Sequence, residues 1–350
     1  MQGLQVDWCV EMSEAVSVII TCYNLEEYIT QAIASVKRQD YCGTIQIIVV
    51  DDASTDNSRS LLEKEVGIQI VQQPTNGGVL KAVLSGFAAA KHDVIFFLDG
   101  DDVWHKEKVS RCMELFRADV QFVTHDLNYM SNLGQYLERT SRVSEVLGQK
   151  KPAYLDNIIR DGILRHDDFI WLGSAFGIRK SLSSLDGFVQ HCADFGYTSS
   201  CYQDWPIAVW VALQKRGSMS YVNEKLFDYR IHDNNYSGST QTIEKLQRNL
   251  RKSFHTMLLI ESIIEHFGGH LGVRKSHRDM KRAYSLQLTA AAGSRSEIAS
   301  ELVRTGFGIL LSGIGAKPLI RAVLSLVLGN KLAYKVLERY KQGVWRVSRL

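Results

Sequence analysis

The chain has 350 residues, of which 45% are apolar and 23% are charged, and this composition excludes an intrinsically disordered protein. The net charge of +3 is unevenly distributed along the chain. Residues 241–350 contain 19 Lys and Arg and 7 Asp and Glu, a net charge of +12, so residues 1–240 have a net charge of −9. The two parts of the chain are therefore expected to have different roles.

The cysteines and the N-terminus bear on the cellular compartment. The six cysteines are scattered without a Cys-x-x-Cys pair, which favours buried thiols in a reducing compartment over a zinc or disulfide framework. The first 15 residues carry acids and no long apolar core, so they do not read as a signal peptide. No uncharged apolar run reaches the ~18 residues of a spanning helix. These features predict a cytoplasmic protein.

The first 125 residues alternate between strand and helix patterns. Near-continuous apolar strands are predicted at Val16–Ile20, Ile45–Val50, Ile68–Gln73 and Asp93–Leu98, with helical stretches between them and a further helix from about Lys106 to Phe116. This pattern predicts a parallel sheet covered on both faces, with ligands bound outside the carboxyl ends of the strands. From residue 120 to about 239 the pattern is irregular, with one clear helix near residues 205–215, and the remainder is helical.

Polar residues follow the predicted strands at their carboxyl ends. The stretch "FFLDGDDVW" places three carboxylates within four positions, Asp99, Asp101 and Asp102, and their repulsion needs a positive partner. The alternative is a solvated Asp-Gly turn. The other two strand ends carry Thr21, Tyr23 and Asn24, and Asp51 and Asp52.

Several motifs, in order, resemble the inverting family 2 glycosyltransferases of the GT-A fold. They are "VSVIITCYN", "IIVVDDASTDNS", "TNGGVLKAVLSGFAAAKHDVIFFLDGDDVWHKEKV", "YQDWPIAVWVALQKRG" and "YRIHDNNYSGS". The resemblance covers about residues 15–240 and implies an α/β, Rossmann-like, mostly parallel central sheet flanked by helices. The residues beyond about 241 are not covered with similar strength, and their own pattern predicts a C-terminal helical extension. The predicted division is an N-terminal extension (1–14), a GT-A domain (15–240, donor half about 15–126 and acceptor half about 127–240) and a basic helical region (241–350).

The resemblance implies a nucleotide-diphosphate sugar donor, with a UDP-sugar favoured, and a divalent cation, Mn or Mg, between its phosphates and the carboxylates. In the family pattern Asp99 faces the ribose, Asp101 has a metal or ribose role, and Asp102 is the expected direct metal ligand. His232 is a further metal ligand or a contact to the diphosphate or, alternatively, a structural hydrogen-bonding group.

Other donor-binding residues follow from the same resemblance. Asp52 is expected to accept a hydrogen bond from the nucleobase, although Asp51 is adjacent and is the alternative. Lys81 stands where family members often carry an Ala-Arg-Asn motif; it either supplies a cation or is a solvated helix lysine. The remaining expected donor contacts are Thr21, Tyr23, Asn24, Asn76 and Gly78.

The resemblance assigns Asp204 as the general base that deprotonates the acceptor hydroxyl. Asp204 precedes Trp205-Pro206, so the alternative is that Asp204 is an ordinary helix-capping residue. The same residue can both cap the helix and act as the base. The family usually has Glu before this Asp, whereas this chain has Gln203. Trp171, Ser174 and Gln203 are expected near the acceptor, with ordinary packing as the alternative for Trp171.

The C-terminal segment 317–350 has apolar residues at helical spacing, with Lys331, Lys335 and Arg339 on another face. This pattern predicts a helix that lies on an anionic membrane surface, in which case the protein is peripheral on the inner face of the cell membrane. The alternative is packing on the catalytic domain or a homo-oligomer contact. Nucleic-acid binding is not expected, because recognised motifs are lacking.

The sequence therefore predicts a metal-dependent inverting glycosyltransferase that acts on a glycan or lipid-linked acceptor in surface polysaccharide synthesis. The alternative is a non-catalytic nucleotide-sugar-binding or scaffold protein of the same fold. An NAD-dependent oxidoreductase is disfavoured, because no G-x-G-x-x-G follows the first strand. A polymerising synthase is disfavoured as well, since it is expected to carry spanning helices.

Overall fold

The computed structural model describes residues 13–139, 141, 143–148, 150, 152–165, 173–196, 198–232, 242–269, 271–311 and 316–337. The chain forms two compact units, with the boundary between His232 and Asp233.

The first unit contains one eight-stranded sheet with helices between its strands. The strands are β1 (Val16–Cys22), β2 (Ile45–Asp51), β3 (Gln69–Gln72), β4 (Val94–Asp99), β5 (Val103–Trp104), β6 (Val120–Ser131), β7 (Phe176–Arg179) and β8 (Ser218–Ile231). The helices are α1 (Ile29–Lys37), α2 (Ser58–Leu62), α3 (Val79–Ala89), α4 (Lys108–Met113), α5 (Val143–Leu147), α6 (Pro152–Arg165), α7 (Lys180–Ser183), α8 (Leu185–Phe195) and α9 (Asp204–Gln214).

The sheet has the strand order β3-β2-β1-β4-β7-β6-β8-β5. The first four strands are parallel, β7 is antiparallel to both β4 and β6, and β8 runs parallel to β6. The predicted α/β fold is confirmed. β1 and β4 are central strands of the sheet and are buried on both faces. Every side chain from Val16 to Ile20 is fully buried, which explains why the strand sequences are nearly continuous runs of apolar residues.

Strand register brings the polar strand ends together. Thr21 pairs with Asp99, and Cys22 pairs with Asp51, so the ends of β1, β2 and β4 lie at the same edge of the sheet. This is the edge at which open α/β sheets bind ligands.

Buried cysteine thiols occur in the first unit, as expected, at Cys22, Cys112, Cys192 and Cys201. Cys42 differs from the expectation, because it is disulfide-bonded.

The second unit is helical, which confirms the predicted C-terminal extension. Its helices are α10 (Ile243–His266), α11 (Leu271–Ala292), α12 (Arg295–Leu311) and α13 (Lys317–Leu328), and residues 330–337 are helical as well. Leu286 and Ala290 of α11, Ile298 of α12 and Ala322 of α13 form a small buried core. Arg339 and Tyr340 lie outside the described residues.

Candidate active site

The turn after β4 is bonded to the end of β1. The hydroxyl of Thr21 donates a hydrogen bond to the carboxylate of Asp99 (3.3 Å), and the backbone N–H of Gly100 donates to the Thr21 carbonyl (3.0 Å). A side chain at position 100 would collide with that carbonyl oxygen, which explains the glycine between the acidic residues. The stretch Asp99–Asp102 is therefore a fixed part of the sheet edge.

Asp102 lies beneath the surface and is only 1% exposed. One carboxylate oxygen accepts a hydrogen bond from the Ser174 hydroxyl (2.6 Å), and the other accepts one from the backbone N–H of Arg230 (3.0 Å). Burial raises the pKa of Asp102, and the charges of Asp101 and Asp99 raise it further. This burial argues against the expectation that Asp102 is the direct metal ligand.

Ser174 joins two of the acidic residues. Its hydroxyl donates to Asp102 and also accepts the backbone N–H of Asp99 (3.0 Å). The sequence predicts Ser174 near the acceptor. Its side chain is only 1% exposed and takes part in this internal hydrogen-bond network.

Lys108 belongs to this network, although no sequence motif singles it out. Its side chain is fully buried, its ammonium group donates to the Ser174 carbonyl, and it lies 3.9 Å from the centre of the Trp104 ring. Burial lowers the pKa of Lys108 to about 7. A signal is present in the sequence, because Lys108 is four residues before the buried Cys112 and thus on the apolar face of α4.

Asp101 and His232 face one another at the edge of the sheet. His232 Nε2 and Asp101 Oδ2 are 3.0 Å apart, and the His232 ring contacts the Tyr28 ring with centroids 4.8 Å apart. Arg230 fixes the same turn, since its Nε donates to the Asp101 carbonyl (2.7 Å) and its Nη2 donates to Gln31 (2.9 Å). Among the described residues, no group of three or more His, Cys, Asp or Glu side chains is arranged to hold a metal ion.

The two acids after β2 have separate partners. Asp52 accepts the backbone N–H groups of Gly77 (2.7 Å) and Gly78 (2.8 Å). Burial raises the pKa of Asp52, while these two amides and the charge of Lys81 oppose the shift. Asp51 is fully buried and accepts from Ser54 and Gln72, so it holds the β2–β3 end together.

The remaining predicted donor residues lie in the loops at this edge. Asn24 has a left-handed backbone (φ 53°), and its side-chain oxygen accepts the backbone N–H of Thr55 (2.7 Å). Tyr23 is 41% exposed. Asn76 and Lys81 are also exposed.

The start of α9 contacts the donor-side acids. The Gln203 amide donates to Asp99 Oδ1 (2.9 Å), and Asp204 is the first residue of the helix, where its carboxylate accepts the backbone N–H of Trp205 (2.9 Å). Gly78 lies against the backbone of Ser199 in the segment before this helix. The structure thus brings Asp204 to the neighbourhood of Asp99. Trp171 lies outside the described residues.

The site thus combines acidic residues at the ends of the strands with a carboxylate at the start of α9. The chain that forms it is similar to known proteins. Residues 17–183 match Glycosyl transferase family 2. The "Uncharacterized glycosyltransferase" of Nostoc sp. is 39% identical over 132 residues, which are 36% of this chain and 40% of that protein. The "Putative teichuronic acid biosynthesis glycosyltransferase TuaG" of Bacillus subtilis is 26% identical over 237 residues, 64% of this chain and 82% of that protein.

Among solved structures, the fold is similar to residues 1–349 of Staphylococcus aureus TarS in complex with UDP-GlcNAc. The TM-score is 0.59 at 15% sequence identity, and the match covers 94% of this chain and 92% of the TarS chain. At this identity the likeness concerns the GT-A fold. The chain spans less than half the length of the first curated relatives that it matches.

Proposed function

We propose that this chain is a family 2 glycosyltransferase that is inverting and metal-dependent. It would transfer a sugar from a nucleotide-diphosphate sugar to a hydroxyl of a glycan or lipid-linked glycan in surface polysaccharide synthesis. The observation that carries the proposal is the hydrogen bond between Gln203 and Asp99, because it joins the helix of the proposed base to the acids of the proposed donor site.

The donor would lie along the edge formed by β1, β2 and β4. Asp52, held by the amides of Gly77 and Gly78, would meet the nucleobase, and Asp99 would meet the ribose. The structure of TarS with UDP-GlcNAc and the relationship to TuaG support a UDP-sugar and a cell-surface glycan.

A divalent cation fits Asp101 and His232. A carboxylate oxygen of Asp101 and an imidazole nitrogen of His232 face one another across 3.0 Å. Carboxylate, phosphate and water oxygens are the usual ligands of Mn²⁺ and Mg²⁺, and the imidazole nitrogen would add a ligand that suits Mn²⁺ better than Mg²⁺. When bound, such a cation neutralises the charge that develops on the departing diphosphate. Asp102, being buried, would act as a positioning residue that holds the turn rather than as a ligand.

Asp204 would act as the general base. The acceptor oxygen forms a bond to the anomeric carbon, the bond from that carbon to the phosphate oxygen breaks, and the acceptor proton passes to the Asp204 carboxylate. Attack on the face opposite the departing diphosphate inverts the anomeric configuration.

The test is diphosphate release from a panel of nucleotide sugars, measured with Mn²⁺, with Mg²⁺ and with chelator, together with NMR of the product anomer. Asp204→Asn keeps an oxygen for the Trp205 N–H and is expected to lower turnover about 100-fold or more. The matched control is Asp186→Asn in the first turn of α8, which should retain activity. Equal turnover by Asp204→Asn would reject the base, and activity undiminished by chelator would reject the metal.

A further inference from the structure

The helix α13 has two apolar faces, and only one of them is covered by the described residues of its own unit. Ala322 and Ser325 are buried, and Leu319 and Leu326 pack against the small core of α11 and α12. The other face is exposed and aliphatic, with Val327 being 65% exposed. Its members are Ile320, Val323, Val327 and Leu328.

The exposed face continues after Gly329 into residues 330–337. Ala333 is buried there, and Tyr334 packs against residues of α10 and α11, which fixes this turn of chain to the unit. Leu332 and Val336, four residues apart, point away from that contact and are exposed. Isolated exposed aliphatic residues are common on protein surfaces, but a continuous stripe from Ile320 to Val336 is typical of an interaction site. We define the aliphatic stripe as Ile320, Val323, Val327, Leu328, Leu332 and Val336.

Positive charge accompanies the stripe. Lys317, Lys331 and Lys335 are exposed along the same stretch, and residues 316–337 contain no Asp or Glu. Within the described part of the chain, none of these three lysines forms an ion pair with a carboxylate. A surface that pairs aliphatic groups with unopposed lysines complements an anionic lipid surface, in which the aliphatic groups enter the acyl boundary and the lysines meet phosphate.

We propose that the aliphatic stripe and its three lysines form a peripheral binding surface for anionic phospholipid. None of the helices in the described ranges combines the length and apolar character needed to cross a bilayer. A second copy of the chain fits less well, because a two-fold pairing of this face would bring its lysines toward one another without acids to offset them. This proposal goes beyond the catalytic function and does not depend on it.

The test is flotation of the full chain with vesicles of phosphatidylcholine alone and with added phosphatidylglycerol, at low and high salt. Binding is expected only with phosphatidylglycerol and is expected to weaken with salt. Lys331→Glu with Lys335→Glu removes charge, and Val323→Ser with Val327→Ser removes apolar contact; each pair should lower vesicle binding about tenfold or more. The matched control is Lys64→Glu with Val66→Ser, exposed residues of the first unit, which should bind as the parent chain does.

Circular dichroism and sedimentation accompany each variant, so that loss of fold is distinguished from loss of binding. Because the changed side chains are exposed, helix content is expected to stay the same. Failure of the parent chain to float with phosphatidylglycerol would overturn the proposal. Unchanged binding by either pair of substitutions would overturn it as well, and so would a change from oligomer to monomer without a change in vesicle binding.

Discussion

The side-chain amide of Gln203 donates a hydrogen bond to Asp99 across 2.9 Å, and these residues are 104 positions apart in the chain. The glycosyltransferase family that the sequence resembles usually has Glu at the position of Gln203. A carboxylate cannot donate this bond when ionised, so glutamine here gives Asp99 a neutral donor in place of a like charge.

Gln203→Glu is therefore expected to weaken donor binding. Two carboxylates would then face one another, which raises the pKa of the pair and moves Asp99 from its bonded position. We expect the donor KM to rise about tenfold at neutral pH, since a hydrogen bond to a charged group is lost, and to rise less at acidic pH, where one carboxyl is protonated. Gln190→Glu in α8, which removes the same type of bond to the exposed Asp194 (2.9 Å), is the control. A KM for Gln203→Glu that equals the parent value at neutral pH would contradict the role of the bond.

The pairing of His232 with Asp101 predicts how Mn²⁺ should bind. His232→Ala removes the imidazole nitrogen and should raise the Mn²⁺ concentration for half-maximal activity at least about tenfold. Calorimetric titration of Mn²⁺ in the presence of UDP should show the same weakening without turnover. His92→Ala is the control, because residue 92 precedes β4 and is at the opposite end of that strand from Asp99. Equal Mn²⁺ affinity in the His232 variant and the parent chain would leave His232 with a structural role alone.

Gly78 is predicted to be indispensable for the loop that Asp52 holds. Its φ of 82° lies in the left-handed region, and a Cβ there would collide with the Ser199 carbonyl. Gly78→Ala should therefore displace the 198–200 segment, lower the melting temperature and weaken UDP binding. Gly67→Ala separates the two causes, because Gly67 also has a positive φ (76°), but a Cβ added there would have no neighbouring atom within 4 Å. We expect Gly67→Ala to cost stability only, with UDP binding retained; equal UDP affinity in both variants would contradict the collision argument.

The sheet is predictable from the sequence because its signal is local. The apolar run predicts β4 at 93–98, and the strand is observed at Val94–Asp99, since an unbroken apolar run bounded by charged residues is sufficient to define a buried strand. The parallel arrangement in turn predicts that the ends of β1, β2 and β4 lie together, as they do.

The contacts that shape the site are not predictable in this way. Ser174 meets Asp102 across 72 positions of the chain, and no local pattern encodes such a contact. The burial of Asp102 depends on that contact and on the Arg230 amide, so the sequence does not distinguish it from its more exposed neighbours. The apolar residues of α13 present a related problem: Leu326 and Val327 are adjacent in the sequence, but only Leu326 packs against the core.

The buried Lys108 gives a prediction for the pH dependence of stability. Its pKa falls from 10.5 to about 7 in the folded chain because the side chain is buried. Between these values the unfolded chain binds more protons than the folded chain, so this residue makes stability increase as the pH rises from about 7 to about 10. Below about pH 7 the lysine is charged in both states, and the full cost of burying the charge remains.

Lys108→Met should remove this dependence while filling a similar volume. Urea unfolding at about pH 7 and about pH 9.5 is expected to show a smaller gain in stability for Lys108→Met than for the parent chain. At about pH 7 the variant no longer buries a charge, but it also loses the bond to the Ser174 carbonyl, so the readout is the change of stability with pH and not the stability at one pH. Lys106→Met is the control: this lysine is 69% exposed in its side chain and should leave the pH dependence unchanged. An equal gain with pH in the parent chain and in Lys108→Met would show that Lys108 keeps its ordinary pKa in the folded protein.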